Sequence, residues 1–401
     1  MLRKTLDRIR PYFEPGGKLH AFRSVYDGFD TFLYTPRTTS ARRLAVHVHR
    51  ANDSKRAMII VVLALLPCLL FGMYNTGYQH WLACGIAAKP FWSLMLYGFL
   101  AILPRIVVTY AVGLGIEFIV AQKRGEEIQE GFLVSGLLIP LICPISTPLW
   151  MIAVATAIAV IFAKEVFGGT GYNMFNPALV ARAVLFFSYP AKMSGDGVFV
   201  ATSPMFGYGP IAPDTFTCAT PLGQLATSSG ATTLTGIDGQ ALTWWDAFVG
   251  LIPGSFGETS MLCILIGAAL LLITRTASWR IMLSVFVGGY LMALLANTFA
   301  TPTYPASMLS PIEQLLYGGF GFAAVFMATD PVTACRTNAG KWIYGFLIGA
   351  LAIVIRTYNS GYPEGAMMAV LLLNAFASLI DHCVVSANSR RRARRITAKT
   401  L

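Results

Sequence analysis

The chain has 401 residues, of which 55% are hydrophobic and only 12% are charged, and its mean hydropathy is +0.62. An ordinary soluble domain carries about 25% charged residues, so this composition excludes a soluble globular protein. Positive charge is concentrated at the two ends: residues 1–56 hold 12 Lys and Arg against 5 acids, and residues 387–401 hold 6 Lys and Arg and no acid. Since the basic residues belong to the termini, nucleic acid is not expected as a partner.

The seven cysteines lie far apart, with no CxxC pair and no histidine at ligand spacing. Neither a metal centre nor a disulfide framework is therefore predicted. The five histidines receive no role, and no catalytic residue is assigned. The first apolar run begins only near Ala57, after a long charged segment, so no cleavable signal peptide is expected.

The apolar segments predict an all-α integral membrane protein, because a spanning helix needs about 20 apolar residues. About ten helices are expected. Their ranges are roughly 57–76, 100–121, 131–147, 148–164, 176–190, 258–274, 281–299, 313–329, 342–356 and 364–385. The run from Phe91 to Gln122 exceeds one crossing and contains Pro104 and Arg105. Its first part is expected at the membrane interface rather than as an extra helix.

Lys and Arg in short loops predict the orientation, because they are retained on the cytoplasmic side. With the N-terminus cytoplasmic, the loops on that side carry Lys123, Arg124, Lys164, Arg275, Arg280, Arg336, Lys341 and the cluster at 390–395. Both termini are then cytoplasmic, and in a bacterium the chain lies in the inner membrane with its long polar loop in the periplasm. The expected organisation is a cytoplasmic segment at 1–56, a membrane domain at 57–386 with the periplasmic loop at 191–242, and a basic tail at 387–401.

Two segments resist a simple helical interpretation. Asn176 precedes Pro177 and Asp330 precedes Pro331, so each is predicted to cap a helix that starts at the proline. A short pattern also recurs within the chain: Gly131 and Phe132 precede Pro144 at nearly the spacing at which Gly319 and Phe320 precede Pro331. The first pair of breaks is expected at the outer face of the membrane and the second at the inner face. This pattern favours an inverted repeat of five plus five helices.

Residues 214–220 read DTFTCAT, which matches the pattern Asp-x-x-(Ser/Thr)-x-Ala-Thr at which a flavin transferase links FMN phosphate to a threonine hydroxyl. Here the chain resembles the family of B subunits of the bacterial sodium-translocating NADH:quinone oxidoreductases. The resemblance covers most of the chain. It includes KEVFGGTGYNMFNPALVARA at 164–183, FMATDP at 326–331, PEGAM at 363–367, LIDH at 379–382, GGK at 16–18 and LYTP at 33–36.

The resemblance implies that Thr220 carries FMN as a phosphoester and that Asp214, Thr217 and Ala219 serve recognition by the transferase. A second threonine, Thr232, ends the segment SSGAT, but Ala226 stands where the motif has an acid, so Thr220 is preferred. Cys218 occupies a variable position at which the family commonly has glycine. Attachment of FMN is still expected with this small residue in place. Whether a second, noncovalent flavin such as riboflavin lies nearby stays open.

The resemblance further implies one component of a complex with subunits A, C, D, E and F, in which electrons from NADH reach ubiquinone and sodium moves outward. NADH oxidation is expected in another component, because this chain lacks the GxGxxG dinucleotide fingerprint. Two alternatives stay open: a component of the related Rnf complex, similar to its D subunit, and a solute channel, since the family's architecture resembles that of urea transporters. The long N-terminal segment favours the quinone reductase.

Acidic residues in the apolar body are the second functional signal, because each costs several kcal/mol unless it meets protein, water or an ion. They are Glu130, Glu165, Glu258, Asp330 and Asp381. Purely structural roles, such as helix capping or favourable placement at a helix N-terminus, are an equal alternative for each. Asp330 and Asp381 are the candidates for a sodium path on the cytoplasmic side.

A quinone pocket is predicted where the aromatic, basic N-terminal segment meets Glu130 and Gly131. A quinone needs an apolar slot for its tail and a few polar groups for its head. The alternative for the N-terminal segment is an arm that binds the anionic headgroups of membrane lipids.

Overall fold

The computed structural model describes residues 2–13, parts of 17–30, and 54–400 except 87–88, 126–130, 196, 214–217, 229–233, 360 and 363. Within this part of the chain the ordered elements are helices, with isolated bridging pairs only at Met205–Tyr208 and Thr235–Ala241. The first half contains α1 (Leu2–Phe13), α2 (Ser54–Ala83), α3 (Phe91–Arg124), α4 (Phe132–Ile142), α5 (Leu149–Ile158), α6 (Pro177–Ser188), α7 (Pro190–Met193) and α8 (Pro221–Thr227). The second half contains α9 (Trp244–Val249), α10 (Met261–Ile273), α11 (Trp279–Thr298), α12 (Pro311–Leu316), α13 (Phe320–Phe322), α14 (Asn338–Tyr358) and α15 (Ala366–Thr400).

Five helices of the described part are long and apolar enough to cross a membrane: Lys55–Ala83, Phe91–Arg124, Trp279–Thr298, Asn338–Tyr358 and Ala366–Arg395. Each matches one of the ten expected spans. Three further expected spans correspond to apolar helices of only 11 to 13 residues, namely α4, α6 and α10. At 1.5 Å per residue such helices are about 17–20 Å long, shorter than the hydrocarbon core of a bilayer.

The two remaining expected spans are irregular. Helix α5 continues as a π-helix over Ala159–Glu165. The segment expected at 313–329 is broken into α12, α13 and a second π-helix over Ala323–Met327. By contrast, α3 runs without interruption from Phe91 through Pro104, so the first part of that run continues the helix.

The two short helices α4 and α13 pack in the same way. A Cβ atom at Gly113 of α3 would overlap the ring of Phe132, the first residue of α4. In the second half, a Cβ atom at Gly289 of α11 would overlap the ring of Phe320, the first residue of α13. A glycine on each long helix therefore lets the short helix approach it closely.

Buried arginines bind the carbonyl oxygens that are freed where the short helices end. Arg105 of α3 donates to the carbonyl of Ile145, just after α4. Arg182 of α6 donates to the carbonyl of Ile142, the last residue of α4. Arg356 of α14 donates to the carbonyls of Gln314 and Gly318, around the end of α12. Unsatisfied carbonyls at this depth cost several kcal/mol each, so these three side chains make the broken helices possible.

Candidate functional site

One cavity of about 90 Å³ lies at the end of the helix bundle where α2 begins. We call this the basic end, because α3 ends there with Lys123 and Arg124, and Arg280 and Lys341 lie in the first turns of α11 and α14. Two of the predicted site residues line it together: Gly131 of the expected quinone region and Asp330 of the expected sodium path. Glu130, the N-terminal residues 31–53 and the tail residue 401 lie outside the described residues. The structure therefore places one residue of the predicted quinone region and one residue of the predicted sodium path on the wall of the same cavity.

Asp330 does not cap a helix, contrary to the sequence-based prediction. Its carboxylate accepts hydrogen bonds from Val332 N (3.1 Å), Thr333 Oγ1 (3.2 Å) and Asn176 Nδ2 (3.3 Å). These bonds close a turn, and the next helix, α14, begins only at Asn338 with Thr337 as its cap. The prediction for Asn176 is confirmed, because its side chain accepts from Ala178 N at the start of α6. The cap of α6 is thus hydrogen-bonded directly to Asp330.

A buried ion pair that the sequence-based reasoning missed lies beside the basic-end cavity. Lys164 lines the cavity and pairs with Glu117 of α3, and each side chain is only 5% exposed. The sequence feature that could have indicated this pair is Glu117, a glutamate inside the apolar run of α3. Next to this pair, Glu165 bonds Arg124 at 3.3 Å. Thr170 also lines the cavity, and its buried hydroxyl has no hydrogen-bond partner among the described residues.

Asp381 does not line this cavity. Its carboxylate accepts from Arg336 N (2.7 Å), Thr337 N (3.0 Å) and Thr337 Oγ1 (2.5 Å). It therefore ties α15 to the segment that joins the Asp330 turn to α14. Asp330 and Asp381 therefore contact opposite ends of the short segment that precedes α14, and they do not share one site.

Thr220 lies at the opposite end of the bundle, which we call the loop end because the long segment 189–243 lies there. Its hydroxyl accepts a hydrogen bond from Gly223 N (3.1 Å) and caps α8, which begins at Pro221. The carbonyl of Ala219 accepts from Gln224 Nε2 at 3.2 Å. Cys218 is buried in an apolar cluster with Ala83 of α2 and with Val200, Ala212 and Ile237. Asp214, Thr217 and the competing Thr232 lie outside the described residues.

Thr220 lines a small cavity, of about 30 Å³, that is shared with Glu258 and Glu364. Both carboxylates bind Arg182, at 2.6 Å for Glu258. Glu258 does not start a helix as expected, because α10 begins at Met261 with Ser260 as its cap. Arg182 and Glu364 were not among the sequence-based candidates, although the sequence shows an arginine within an apolar helix. Removing one partner of such a buried pair typically costs about 3–5 kcal/mol.

A larger cavity, of about 180 Å³, adjoins the first at the loop end. Leu222 lines both cavities, and α8 forms a wall of the larger one. Arg356 and Thr357 line the larger cavity, and within the described part of the chain the buried Nε of Arg356 and hydroxyl of Thr357 have no hydrogen-bond partner.

The chain matches known proteins along almost its whole length. Residues 42–390 match the family described as NQR2, RnfD, RnfE. A protein of Chromohalobacter salexigens, named as the B subunit of the Na(+)-translocating NADH-quinone reductase, is 44% identical over 417 residues, covering 99% of this chain and 97% of that protein. Proteins of the same name from Pseudomonas aeruginosa and Klebsiella pneumoniae are 43% and 41% identical and cover 98% of this chain and 99% of their own length.

Proposed function

The chain belongs to the NQR2, RnfD, RnfE family, and we propose that it is the membrane-embedded B subunit of a sodium-pumping NADH:quinone oxidoreductase. The observation that carries the proposal is the full-length similarity to relatives of that name. The five spanning helices fit a membrane component. Subunits A, C, D, E and F would complete the enzyme, with NADH oxidised outside this chain and ubiquinone as the electron acceptor.

We propose ten membrane crossings in two inverted halves, α2–α6 and α10–α15. Two observations support this arrangement: the matching glycine–phenylalanine packing of α4 and α13, and the breaks that follow these helices at opposite ends of the bundle. The basic end would face the cytoplasm of the bacterium, as the distribution of Lys and Arg indicates.

This topology predicts that Ile211 is exposed to the periplasm and Ser389 to the cytoplasm. In a background without other cysteines, Ile211→Cys should react in intact cells with a thiol reagent that cannot cross the membrane. Ser389→Cys should react only after the cells are opened, because both positions are exposed on the protein but lie at opposite ends. Labelling of Ser389→Cys in intact cells would reject the orientation.

We propose that Thr220 carries FMN as a phosphoester, attached by a flavin transferase. The residues present fit the group: the hydroxyl lies at the start of a short helix at the loop end, and α8, which it caps, forms a wall of the cavity of about 180 Å³. When bound, FMN accepts and donates electrons singly or in pairs. The role of the chain is to fix the ester on a helix cap and to keep the flavin on the periplasmic side.

The flavin proposal predicts that Thr220→Val and Thr220→Asn both abolish covalent flavin. Asparagine is a good helix cap but offers no hydroxyl for the ester, so it separates the cap from the attachment. Thr220→Ser and Thr232→Val should retain the flavin. Fluorescence of the denatured chain and peptide mass mapping measure the outcome. Flavin mapped to Thr232 would overturn the assignment, and a chain without any covalent flavin would favour the solute-channel alternative.

We propose that ubiquinone binds at the basic end, near Glu130 and Gly131, covered by the N-terminal segment. Gly131 packs against Thr170, and both line the cavity together with apolar residues of α2 and α4, which would suit a quinone ring. A photoreactive quinone analogue is expected to label peptides that contain residues 131–138 or the N-terminal segment, and an excess of ubiquinone should compete. Labels found only in residues 191–242 would contradict the proposal.

We propose that sodium enters at the basic end past Asp330, with Asp381 holding the adjoining connection in place. A hard cation prefers oxygen ligands, and Asp330, whose carboxylate is held in a turn, lies on the wall of the basic-end cavity.

Sodium entry at Asp330 predicts a several-fold higher sodium concentration for half-maximal quinone reduction in Asp330→Asn, because the variant loses the charge but keeps oxygen atoms for the turn. Asp381→Asn should also raise the sodium concentration for half-maximal quinone reduction. Asp246→Asn is the matched control, since this carboxylate only caps α9 at the loop end. Activity titrated against sodium, with flavin content verified, provides the measurement. Unchanged half-saturation in both variants would defeat the sodium proposal.

A further inference from the structure

The C-terminal helix α15 continues well past the level at which its neighbour α14 begins. The Asp381 carboxylate accepts hydrogen bonds from the backbone N–H groups of Arg336 and Thr337, and Thr337 caps α14. Residue 381 of α15 is therefore level with the start of α14. From that level α15 runs on to Thr400, a further distance of about 28 Å at 1.5 Å per residue. We call residues 387–400 the C-terminal arm.

One face of the C-terminal arm is a stripe of arginines. Residues four apart lie on the same face of a helix, so Arg390 lies beside Arg394 and Arg391 lies beside Arg395. The two pairs are neighbours around the helix, about 100° apart. All four residues are exposed, and no acid follows Asp381 in the sequence. We call these four residues the arginine stripe.

The arginine stripe is unfavourable for the helix that carries it. Like charges four residues apart repel each other and destabilise a helix, and most of the stability of a helix in a protein comes from packing. Residues 387–395 are all exposed, so packing within the described part of the chain does not offset this repulsion. Retention of Lys and Arg in the cytoplasm depends on their number near a spanning helix and not on the face that they occupy. The stripe therefore calls for an anionic partner.

The height of the stripe above the bilayer distinguishes a protein partner from lipid headgroups. Helix α14 has 21 residues and is about 31 Å long, which matches the hydrocarbon core of about 30 Å, so its start marks one edge of that core. The headgroup layer adds only about 5–8 Å on each side. Arg394 and Arg395 lie about 20 Å beyond the level of Asp381 at 1.5 Å per residue. This half of the stripe stands beyond the headgroups, where a protein can reach it.

We propose that the arginine stripe docks onto an acidic surface of another component of the complex on the cytoplasmic side, an inference that rests on the proposed complex and orientation. Carboxylates of that surface pair with the guanidinium groups, which bind a carboxylate through two parallel hydrogen bonds. Docking removes the repulsion within the stripe and fixes the arm. Because the charges meet at the protein surface, salt screens them and weakens the contact.

Photo-crosslinking in native membranes that contain the whole complex tests the docking. A photoreactive benzoylphenylalanine in place of Ala387 lies four residues before Arg391, on the face of the stripe. It should cross-link to a segment rich in Asp and Glu in another component, identified by peptide mass mapping. The same group in place of Ser389, which is also exposed but shares its face with Arg392, is the matched control and should give several-fold fewer cross-links.

Charge reversal provides the second measurement. Arg394→Glu should lower several-fold the salt concentration at which the cross-linked component dissociates from the membrane, and Arg394→Lys should retain most of the parent value. Arg392→Glu is the matched control, because it makes the same change of charge outside the stripe and should leave the value near that of the parent. If the Arg394→Glu complex does not assemble, replacing an acid of the cross-linked segment by Lys should restore assembly.

The outcomes separate this inference from the proposed function. Cross-links to an acidic segment of another component, with earlier dissociation in Arg394→Glu only, support the docking. Cross-links from position 387 that reach only lipid or a second copy of this chain, or no molecule at all, overturn it. An equal effect of Arg392→Glu and Arg394→Glu also overturns it, because the face of the helix would then not matter. A chain that purifies from its membrane without any other component overturns the proposed function itself.

Discussion

Carbonyl oxygens that lose their helical partners inside a bilayer must find other donors, and the broken helices of this protein depend on meeting that requirement. Arg105, Arg182 and Arg356 meet it from neighbouring helices. Each arginine brings a charge into the apolar body. The charge of Arg182 is balanced by Glu258 and Glu364, which lie at the starts of the segments leading into α10 and α15. One side chain of the first half thus holds two connections of the second half.

This pattern also explains why the two ends of the bundle have different chemistry. At the basic end, the turn after the second π-helix gathers Asp330, Asn176 and Thr333 around a cavity, with the Lys164–Glu117 pair beside it. At the loop end, the arginines occupy the freed carbonyls, and the larger cavity there is lined by Tyr304, Tyr358 and side chains of α8.

Much of the architecture follows from the sequence, because hydropathy and loop charge identify the long helices and Asn176 before Pro177 identifies a cap. The short helices are harder to predict, since 11 to 13 apolar residues resemble part of a longer span. Asp330 before Pro331 shows the same sequence pattern as Asn176 before Pro177, yet hydrogen bonds from Thr333 and Asn176 hold Asp330 in a turn. Tertiary contacts therefore determine whether such a residue caps a helix or closes a turn. The buried pairs escape prediction because their partners are distant along the chain: Lys164 and Glu117 are 47 residues apart, and Arg182 and Glu364 are 182 apart.

The two π-helices have a geometric consequence for the cavity at the basic end. Each ends with a hydrogen bond that spans five residues, from Val166 N to Ile161 O and from Ala328 N to Ala323 O. Such a turn contains one residue more than an α-turn, and an α-helix rotates by about 100° per residue. The extra residue of each π-turn therefore changes the direction in which the residues at its end point: Lys164 in one half, and Thr329 and Asp330 in the other. All three line the cavity, so the local winding of the two π-helices determines which side chains form its walls.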